Sequence, residues 1–163
     1  MLLYKTVSGS HLYGLAHELS DLDIFEVHGY DKMRSRQKVA GGLDVTRHSY
    51  ERFMSLCSSG SPQNLEALYS YRAEVDNLPF NRFNFRPDLR LTRETYHRTV
   101  KNFWLRGWEE SDFKLRRHAL RLYLNYRTFE VRGWFNPTLE TNQILFVNMN
   151  ADNESALKAF LDE

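Results

Sequence analysis

The chain has little cysteine, little net charge and no long apolar stretch, and each shortage excludes a class of protein. Its one cysteine, Cys57, has no partner for an internal disulfide, which favours a reduced, cytoplasmic protein. The apolar runs are far shorter than the ~20 residues that a membrane-spanning helix needs, so we expect no membrane association. The first residues also lack the basic segment and apolar stretch of a secretory signal. A formal net charge of +1 excludes a uniformly basic nucleic-acid coat.

The sequence does contain enough apolar side chain for a packed core. Hydrophobic residues make up 42% of the 163 residues and aromatic residues make up 14%. Chains that are disordered as their main state are poor in aromatic residues, so that class is excluded as well. A chain of this length fits one domain, or one small domain with a helical extension.

The charge is unevenly distributed along the chain. Residues 81–135 hold thirteen basic and six acidic side chains, a local net charge of +7, whereas residues 136–163 hold one basic and five acidic side chains. Sixteen of the 22 basic residues are arginine, whose planar guanidinium donates paired hydrogen bonds to phosphate. Aromatic residues are interleaved with these arginines. The segment is interpreted either as a solvated helical surface or as a surface that faces phosphates.

Hydrophobic periodicity predicts a small unit of strands and helices in the first half of the chain. Polar and apolar residues alternate over 21–27, which predicts a strand, and shorter strand patterns occur at 2–7 and 43–46. The polar, basic residues 29–38 indicate a connecting segment. Helices are predicted over residues 11–19, 48–57 and 63–70.

Helical periodicity dominates the second half. A loop over residues 79–87 is the best candidate for a boundary between subdomains. Thr92 is predicted to cap a helix that ends near residue 107, and Ser111 or Asp112 to cap a helix from residue 113 to about 130. Two more helices are predicted over residues 137–148 and 153–161.

A glycine turn and three aspartates carry the chemistry in the first 44 residues. Gly9 and Ser10 lie where the first strand passes into a helix, and there a glycine allows close approach of a phosphate to free backbone N–H groups. Asp21 and Asp23 are two residues apart on a predicted strand, so their carboxylates converge on one face. Two like charges side by side are costly unless a cation joins them, and oxygen ligands favour Mg²⁺ or Mn²⁺. Asp44 on the next strand is placed to complete this metal cluster.

These segments also resemble a known family. The sequence GSHLYGLA at 9–16, followed by SDLD at 20–23, resembles the signature of the DNA polymerase β nucleotidyltransferase superfamily. More narrowly, it is similar to the predicted nucleotidyltransferase family associated with RNA-repair pathways, which has bacterial and phage members. The sequence LDV at 43–45, GSPQNLEAL at 60–68 and the helix over 113–130 continue this resemblance.

The resemblance implies an α+β fold made of a catalytic core and a helical subdomain. A nucleotidyltransferase core with a small mixed sheet would occupy residues 1–78, and a helical subdomain packed on it would occupy residues 79–163. The implied reaction transfers a nucleoside monophosphate from an NTP to a hydroxyl acceptor and releases pyrophosphate. By this resemblance, Asp21, Asp23 and Asp44 would be catalytic and would bind two Mg²⁺ or Mn²⁺ ions. Gly9 and Ser10 would bind phosphate.

A second group of candidate phosphate ligands lies on the helix over 113–130. Lys114, His118 and Arg121 are spaced i, i+4 and i+7, which places them on one helix face beside the apolar stripe. The resemblance assigns them to the triphosphate or to a substrate phosphate. The alternatives are long side chains that extend over the core edge, and a partly buried histidine. Glu66 is interpreted either as a support for the site or as the partner of an arginine.

Three functions are consistent with these patterns. The first is nucleotide transfer to an RNA 3′ end such as that of a tRNA, motivated by the basic segment over 81–135 and by the family resemblance. The second keeps the chemistry but uses a protein side chain, as in toxin–antitoxin systems, or a small molecule as the acceptor. The third is an inactive nucleotide-binding protein, or one that counteracts a partner in defence.

Overall fold

A mixed sheet of five strands occupies the first half of the chain. A computed structural model describes residues 1–29, the backbone of residues 35–39, and residues 41–163. The strands are β1 (Leu2–Ser8), β2 (Leu22–His28), β3 (Ser35–Val39), β4 (Leu43–Ser49) and β5 (Ala73–Asp76). Their order is β3-β4-β2-β1-β5, with β2 and β4 parallel and the other neighbours antiparallel.

Seven α-helices accompany this sheet in the part of the chain that the structure describes, and four of them come after it. They are α1 (Gly9–Tyr13), α2 (Tyr50–Ser58), α3 (Pro62–Leu68), α4 (Leu89–Glu109), α5 (Phe113–Arg132), α6 (Thr141–Asn150) and α7 (Lys158–Leu161). Short 3-10 turns precede α4 at Arg82–Asn84 and α7 at Glu154–Leu157. The predicted α+β class is therefore confirmed: a small mixed sheet is followed by a helical region. We call residues 1–78 the sheet half and residues 79–163 the helical half.

The structure contains two strands, β3 and β5, that the sequence does not predict. The predicted connecting segment over 29–38 lies partly outside the described residues, and its residues 35–38 belong to β3. Strand β5 has only four residues, and its polar residues are exposed. Its pairing with β1 gives it regular structure that so short a pattern does not predict.

The first predicted helix is wrong in both its start and its end. The sequence pattern predicts a helix over 11–19, whereas α1 covers Gly9–Tyr13. Gly14 ends the helix because it adopts the left-handed conformation, with φ of +81°, and its N–H bonds to the carbonyl of Ser10. The next residues, 15–21, form turns and irregular structure.

Capping residues set the starts of the later helices. The Ser49 hydroxyl accepts from the Arg52 N–H, so α2 begins at Tyr50 and β4 extends to Ser49. Asp88, not the predicted Thr92, caps α4, while Thr92 is buried in its first turn. Asp112 caps α5 as predicted, since its carboxylate accepts from the Leu115 N–H.

The start of α6 also differs from the prediction. The sequence pattern places it at residue 137, but the helix begins at Thr141 behind a capping box of Glu140 and Gln143. The preceding residues are held outside the helix by the sheet half, because the Thr138 hydroxyl donates to the Leu12 carbonyl at 2.6 Å.

One hydrophobic core joins the sheet half to the helical half. On the sheet, Tyr4 and Phe25 pack against Phe53 of α2 with ring centroids 6.3 and 5.6 Å apart. The same cluster of buried side chains continues through Tyr96 of α4 and Leu120 of α5. The predicted boundary near residue 79 therefore lies between halves that share a core. In the part of the chain that the structure describes, no helix combines the length and the apolar character needed to cross a membrane.

Candidate functional site

Asp23 and Asp44 lie side by side near the beginnings of two neighbouring strands, each as the second residue of its strand. They are direct register partners in the parallel pair β2–β4. Neighbouring strands are about 4.7–4.9 Å apart and register partners point to the same face of a sheet, so the two carboxylates converge. Asp44 is buried and Asp23 is half-buried. On the other side of β2, Ser8 is the register partner of Asp23.

Gly9 fits against the Asp23 carboxylate. It comes directly after β1 and begins α1 with φ of +64°, a backbone conformation that favours glycine. A β-carbon on this residue would overlap the carboxylate group of Asp23. The turn therefore needs a glycine for two reasons, its backbone conformation and the carboxylate beside it. Its predicted contact with a phosphate, and that of Ser10, stay predictions.

Asp21 does not join the other two aspartates. It lies before the first residue of β2, is exposed, and leans towards Gly42, whose added β-carbon would meet its carboxylate oxygen at 3.0 Å. Within residues 1–29 and 41–163, no three His, Cys, Asp or Glu side chains are grouped in a way that could hold a metal ion. The structure thus brings together two of the three predicted metal ligands, because the regular strand begins only at Leu22.

Asp23 and Asp44 offer the carboxylate oxygens that Mg²⁺ prefers as ligands. Mg²⁺ in nucleotide sites is commonly held by one or two carboxylates together with substrate phosphates and water, so a complete cage of protein ligands is not required. Two converging carboxylates and a glycine turn meet this need. The second ion and the participation of Asp21 stay predictions.

The predicted phosphate ligands on α5 occupy three different environments. Lys114 is exposed, whereas the His118 ring is partly buried and lies edge-on to Phe103 with ring centroids 4.8 Å apart. Arg121 is 1% exposed and its guanidinium lies 3.5 Å from the centroid of the Tyr13 ring. The spacing predicts their common helix face, but burial increases along that face. Only Lys114 is open to a phosphate from solvent.

Arg121 is the partner of Glu66, one of the two roles that the sequence leaves open for this glutamate. The Glu66 carboxylate is 1% exposed and accepts hydrogen bonds from Arg121 at 2.5 Å, from Asn125 at 3.2 Å and from the Tyr13 hydroxyl at 2.8 Å. Burial opposes the charge of Arg121, but the Glu66 carboxylate keeps the pKa of the guanidinium above its ordinary value. This placement argues against the predicted phosphate role of Arg121, because the guanidinium is buried and both of its terminal nitrogens are already hydrogen-bonded.

His118 is held neutral by its surroundings. Burial lowers its pKa well below the ordinary value of 6.5, and the positive charges of Arg121 and Lys114 lower it further. A guanidinium nitrogen of Arg121 donates to its Nδ1 at 3.1 Å, an arrangement that requires an unprotonated ring nitrogen. The ring therefore offers no positive charge to a phosphate near neutral pH.

The fold and the site define an α+β protein with a paired-carboxylate site beside a glycine turn. No protein-family model matches the chain, and a search of curated proteins finds no match either. The sequence resemblance to nucleotidyltransferases therefore does not establish a family for this chain. The proposal for its function rests on the geometry of the site.

Replacing Gly9 with alanine is expected to destabilise the protein more than the same change at Gly133. Both glycines have positive φ, +64° and +72°, so alanine is strained by about 1–2 kcal/mol at each. At Gly133 no atom lies within 4 Å of the added carbon, whereas at Gly9 the Asp23 carboxylate must move. In urea unfolding, the free energy of unfolding should fall at least about twice as much in Gly9→Ala as in Gly133→Ala. Equal losses in the two variants would show that the Asp23 carboxylate does not restrict the side chain at position 9.

The neutral His118 is expected to make stability depend on pH. Below about pH 6.5 the unfolded chain binds a proton that the folded chain excludes, so the free energy of unfolding falls as the pH falls from there towards the lowered pKa. Each unit of difference in pKa contributes about 1.4 kcal/mol. His118→Gln removes this titration and keeps an acceptor for Arg121.

The melting temperature at about pH 7.5 and about pH 5.5 measures this effect. The decrease on acidification should be smaller in His118→Gln than in the wild type. His17→Gln, at an exposed histidine, is the matched control and should behave as the wild type does. If His118→Gln loses as much stability as the wild type on acidification, His118 is not the group responsible.

Proposed function

We propose that this chain is a metal-dependent nucleotidyltransferase that moves a nucleoside monophosphate from an NTP to a hydroxyl acceptor. The observation that carries the proposal is the register pairing of Asp23 with Asp44, with Gly9 against the first of these carboxylates. Paired carboxylates on rigid strands are a suitable anchor for a cation bound to phosphates. The resemblance of residues 9–16 and 20–23 to nucleotidyltransferases supports the same conclusion.

The proposed reaction exchanges a phosphoanhydride bond at the α-phosphorus for a phosphodiester bond. The acceptor oxygen forms a bond to the α-phosphorus, the bond from that phosphorus to the pyrophosphate oxygen breaks, and pyrophosphate leaves. Mg²⁺ or Mn²⁺, when bound, supplies charge neutralisation of the triphosphate and acidifies the acceptor hydroxyl. Asp23 and Asp44 would hold the cation, and the Asp44 carboxylate would help to draw off the proton of the acceptor hydroxyl. The main contributions of the chain are positioning and charge stabilisation.

The proposed acceptor is an RNA 3′ end, and the positive charge of residues 81–135 motivates this choice. Arg98, Lys101 and Lys114 are exposed cations of this segment, and each would attract a phosphate backbone.

A second acceptor class is favoured by the way other arginines of the segment are used. Five arginines of the segment pair with carboxylates that lie outside residues 81–135, in the pairs Arg82–Asp76, Arg93–Glu163, Arg116–Asp152, Arg121–Glu66 and Arg132–Glu140. Less of the local charge of +7 is therefore available to RNA than the sequence alone suggests. A protein side chain or a small molecule is the alternative acceptor, and a nucleotide-binding protein without transfer activity is the second alternative.

Transfer of label from α-phosphate-labelled NTPs tests the proposal. Each of the four NTPs is offered with Mg²⁺ or Mn²⁺, total tRNA and cell extract. We expect label in RNA, and we expect Asp23→Asn and Asp44→Asn to reduce it about a hundredfold or more, because charge stabilisation by a metal is worth several kcal/mol. Asp162→Asn, the same change at an exposed residue after α7, is the matched control and should keep full transfer.

The position of the label selects the acceptor. Label in a protein band, lost in the same two variants, would replace RNA by a protein acceptor. Calorimetric binding of NTP and Mn²⁺ without any transfer would favour the nucleotide-binding alternative. Transfer that survives both Asp23→Asn and Asp44→Asn, or the absence of both transfer and binding, would contradict the proposed metal-dependent site.

A further inference from the structure

Helix α1 depends on distant segments for its position. It has five residues, whereas isolated helices shorter than ~12–15 residues are marginal in water. The last carbonyls of a helix lack partners within it, and here donors from elsewhere in the chain satisfy three of them. Arg72 donates to His11 O at 2.7 Å, Thr138 to Leu12 O at 2.6 Å, and the Leu139 N–H to Tyr13 O at 3.1 Å.

The side chain of Tyr13 adds a fourth and larger attachment. Its hydroxyl donates to Glu66 Oε2 at 2.8 Å, and its ring is covered by the Arg121 guanidinium at 3.5 Å. Burial raises the pKa of this hydroxyl, and the Glu66 carboxylate raises it further, so the group remains a donor. Both Glu66 and Arg121 are 1% exposed, so the Tyr13 ring is fixed between groups that are themselves fixed.

The opposite end of the same helix touches the carboxylate site. Gly9 is the first residue of α1 and lies against the Asp23 carboxylate, while Tyr13 is the last residue, about one turn later. A displacement of Tyr13 therefore moves Gly9 along the Asp23 side chain.

We infer that Tyr13 is a positioning residue, through which the buried Glu66–Arg121 pair sets the distance between Gly9 and the paired carboxylates of Asp23 and Asp44. In its consequence for nucleotide binding this inference rests on the proposed function. Its mechanical part, the restraint of α1 by the Tyr13 hydroxyl, does not. The residue would act through α1, because its side chain contacts Glu66 and Arg121.

Tyr13→Phe tests the inference, with Tyr4→Phe as the matched control. Each change removes one buried tyrosine hydroxyl bond, because the Tyr4 hydroxyl donates to the Ala67 carbonyl at 2.6 Å. The Tyr4 bond joins β1 to α3 and does not touch α1. Tyr13→Phe should cost more global stability than Tyr4→Phe, because its hydroxyl bonds to a buried carboxylate and that of Tyr4 to a neutral carbonyl, and only Tyr13→Phe should loosen α1 locally.

Amide hydrogen exchange gives the first readout. The N–H groups of Gly14 and Leu15 bond to Ser10 O and that of Leu139 bonds to Tyr13 O, so their exchange reports on α1. We expect exchange about tenfold faster or more in Tyr13→Phe, the effect of losing one buried hydrogen bond locally, and little change in Tyr4→Phe. Equal acceleration in both variants, or none in Tyr13→Phe, would overturn the inference whatever the nucleotide experiments show.

Calorimetric binding of Mn²⁺ with each NTP gives the second readout. We expect the dissociation constant to rise about three- to tenfold in Tyr13→Phe and to stay at the wild-type value in Tyr4→Phe. Binding that is unchanged in Tyr13→Phe would overturn the positioning role. If the wild type binds no nucleotide while the exchange result is as expected, the proposed function fails and the restraint of α1 stands.

Discussion

The buried carboxylate of Glu66 is the point at which the two halves of the chain are held together. It accepts hydrogen bonds from Arg121 and Asn125 of α5 and from Tyr13 of α1, while its own helix α3 packs on β1. A buried charge is costly unless it is paired and hydrogen-bonded, and the removal of one partner exposes the full penalty. The helical half therefore cannot move away from the sheet half without leaving both a carboxylate and a guanidinium unpaired inside the protein.

This constraint divides the construction of the candidate site between the two halves. The sheet places Asp23 beside Asp44 by strand register alone, so these carboxylates sit on rigid elements. The glycine turn that borders them belongs to α1, whose carbonyls and tyrosine are held by groups that include Thr138 and Arg121 of the helical half. The site is thus local in sequence but depends on contacts more than a hundred residues away.

Features that depend on residue spacing are predicted well from the sequence, whereas features that depend on burial depth are predicted poorly. Alternation over 21–27 and the strand around residue 44 are enough to expect Asp23 and Asp44 on one sheet, and the helix of Arg121 is also predicted. Helical spacing assigns Arg121 to a face, but burial against Glu66 and Tyr13 depends on tertiary contacts that no local pattern contains. The length of α1 is overestimated for a related reason, because the left-handed conformation of Gly14 ends the helix within an otherwise helical pattern.

The unfolding free energy of Arg121→Met, compared with that of the double variant Glu66→Gln/Arg121→Met, tests the central role of this ion pair most directly. Breaking a buried pair costs about 3–5 kcal/mol, whereas the double variant keeps an amide acceptor for Tyr13 and Asn125 and should recover much of that loss. Arg90→Met, in the exposed pair with Glu94, is the control and should cost about 1 kcal/mol or less. We predict a large loss for Arg121→Met and partial recovery in the double variant. A loss no greater than that of Arg90→Met, or no recovery in the double variant, would contradict the central role of the Glu66–Arg121 pair.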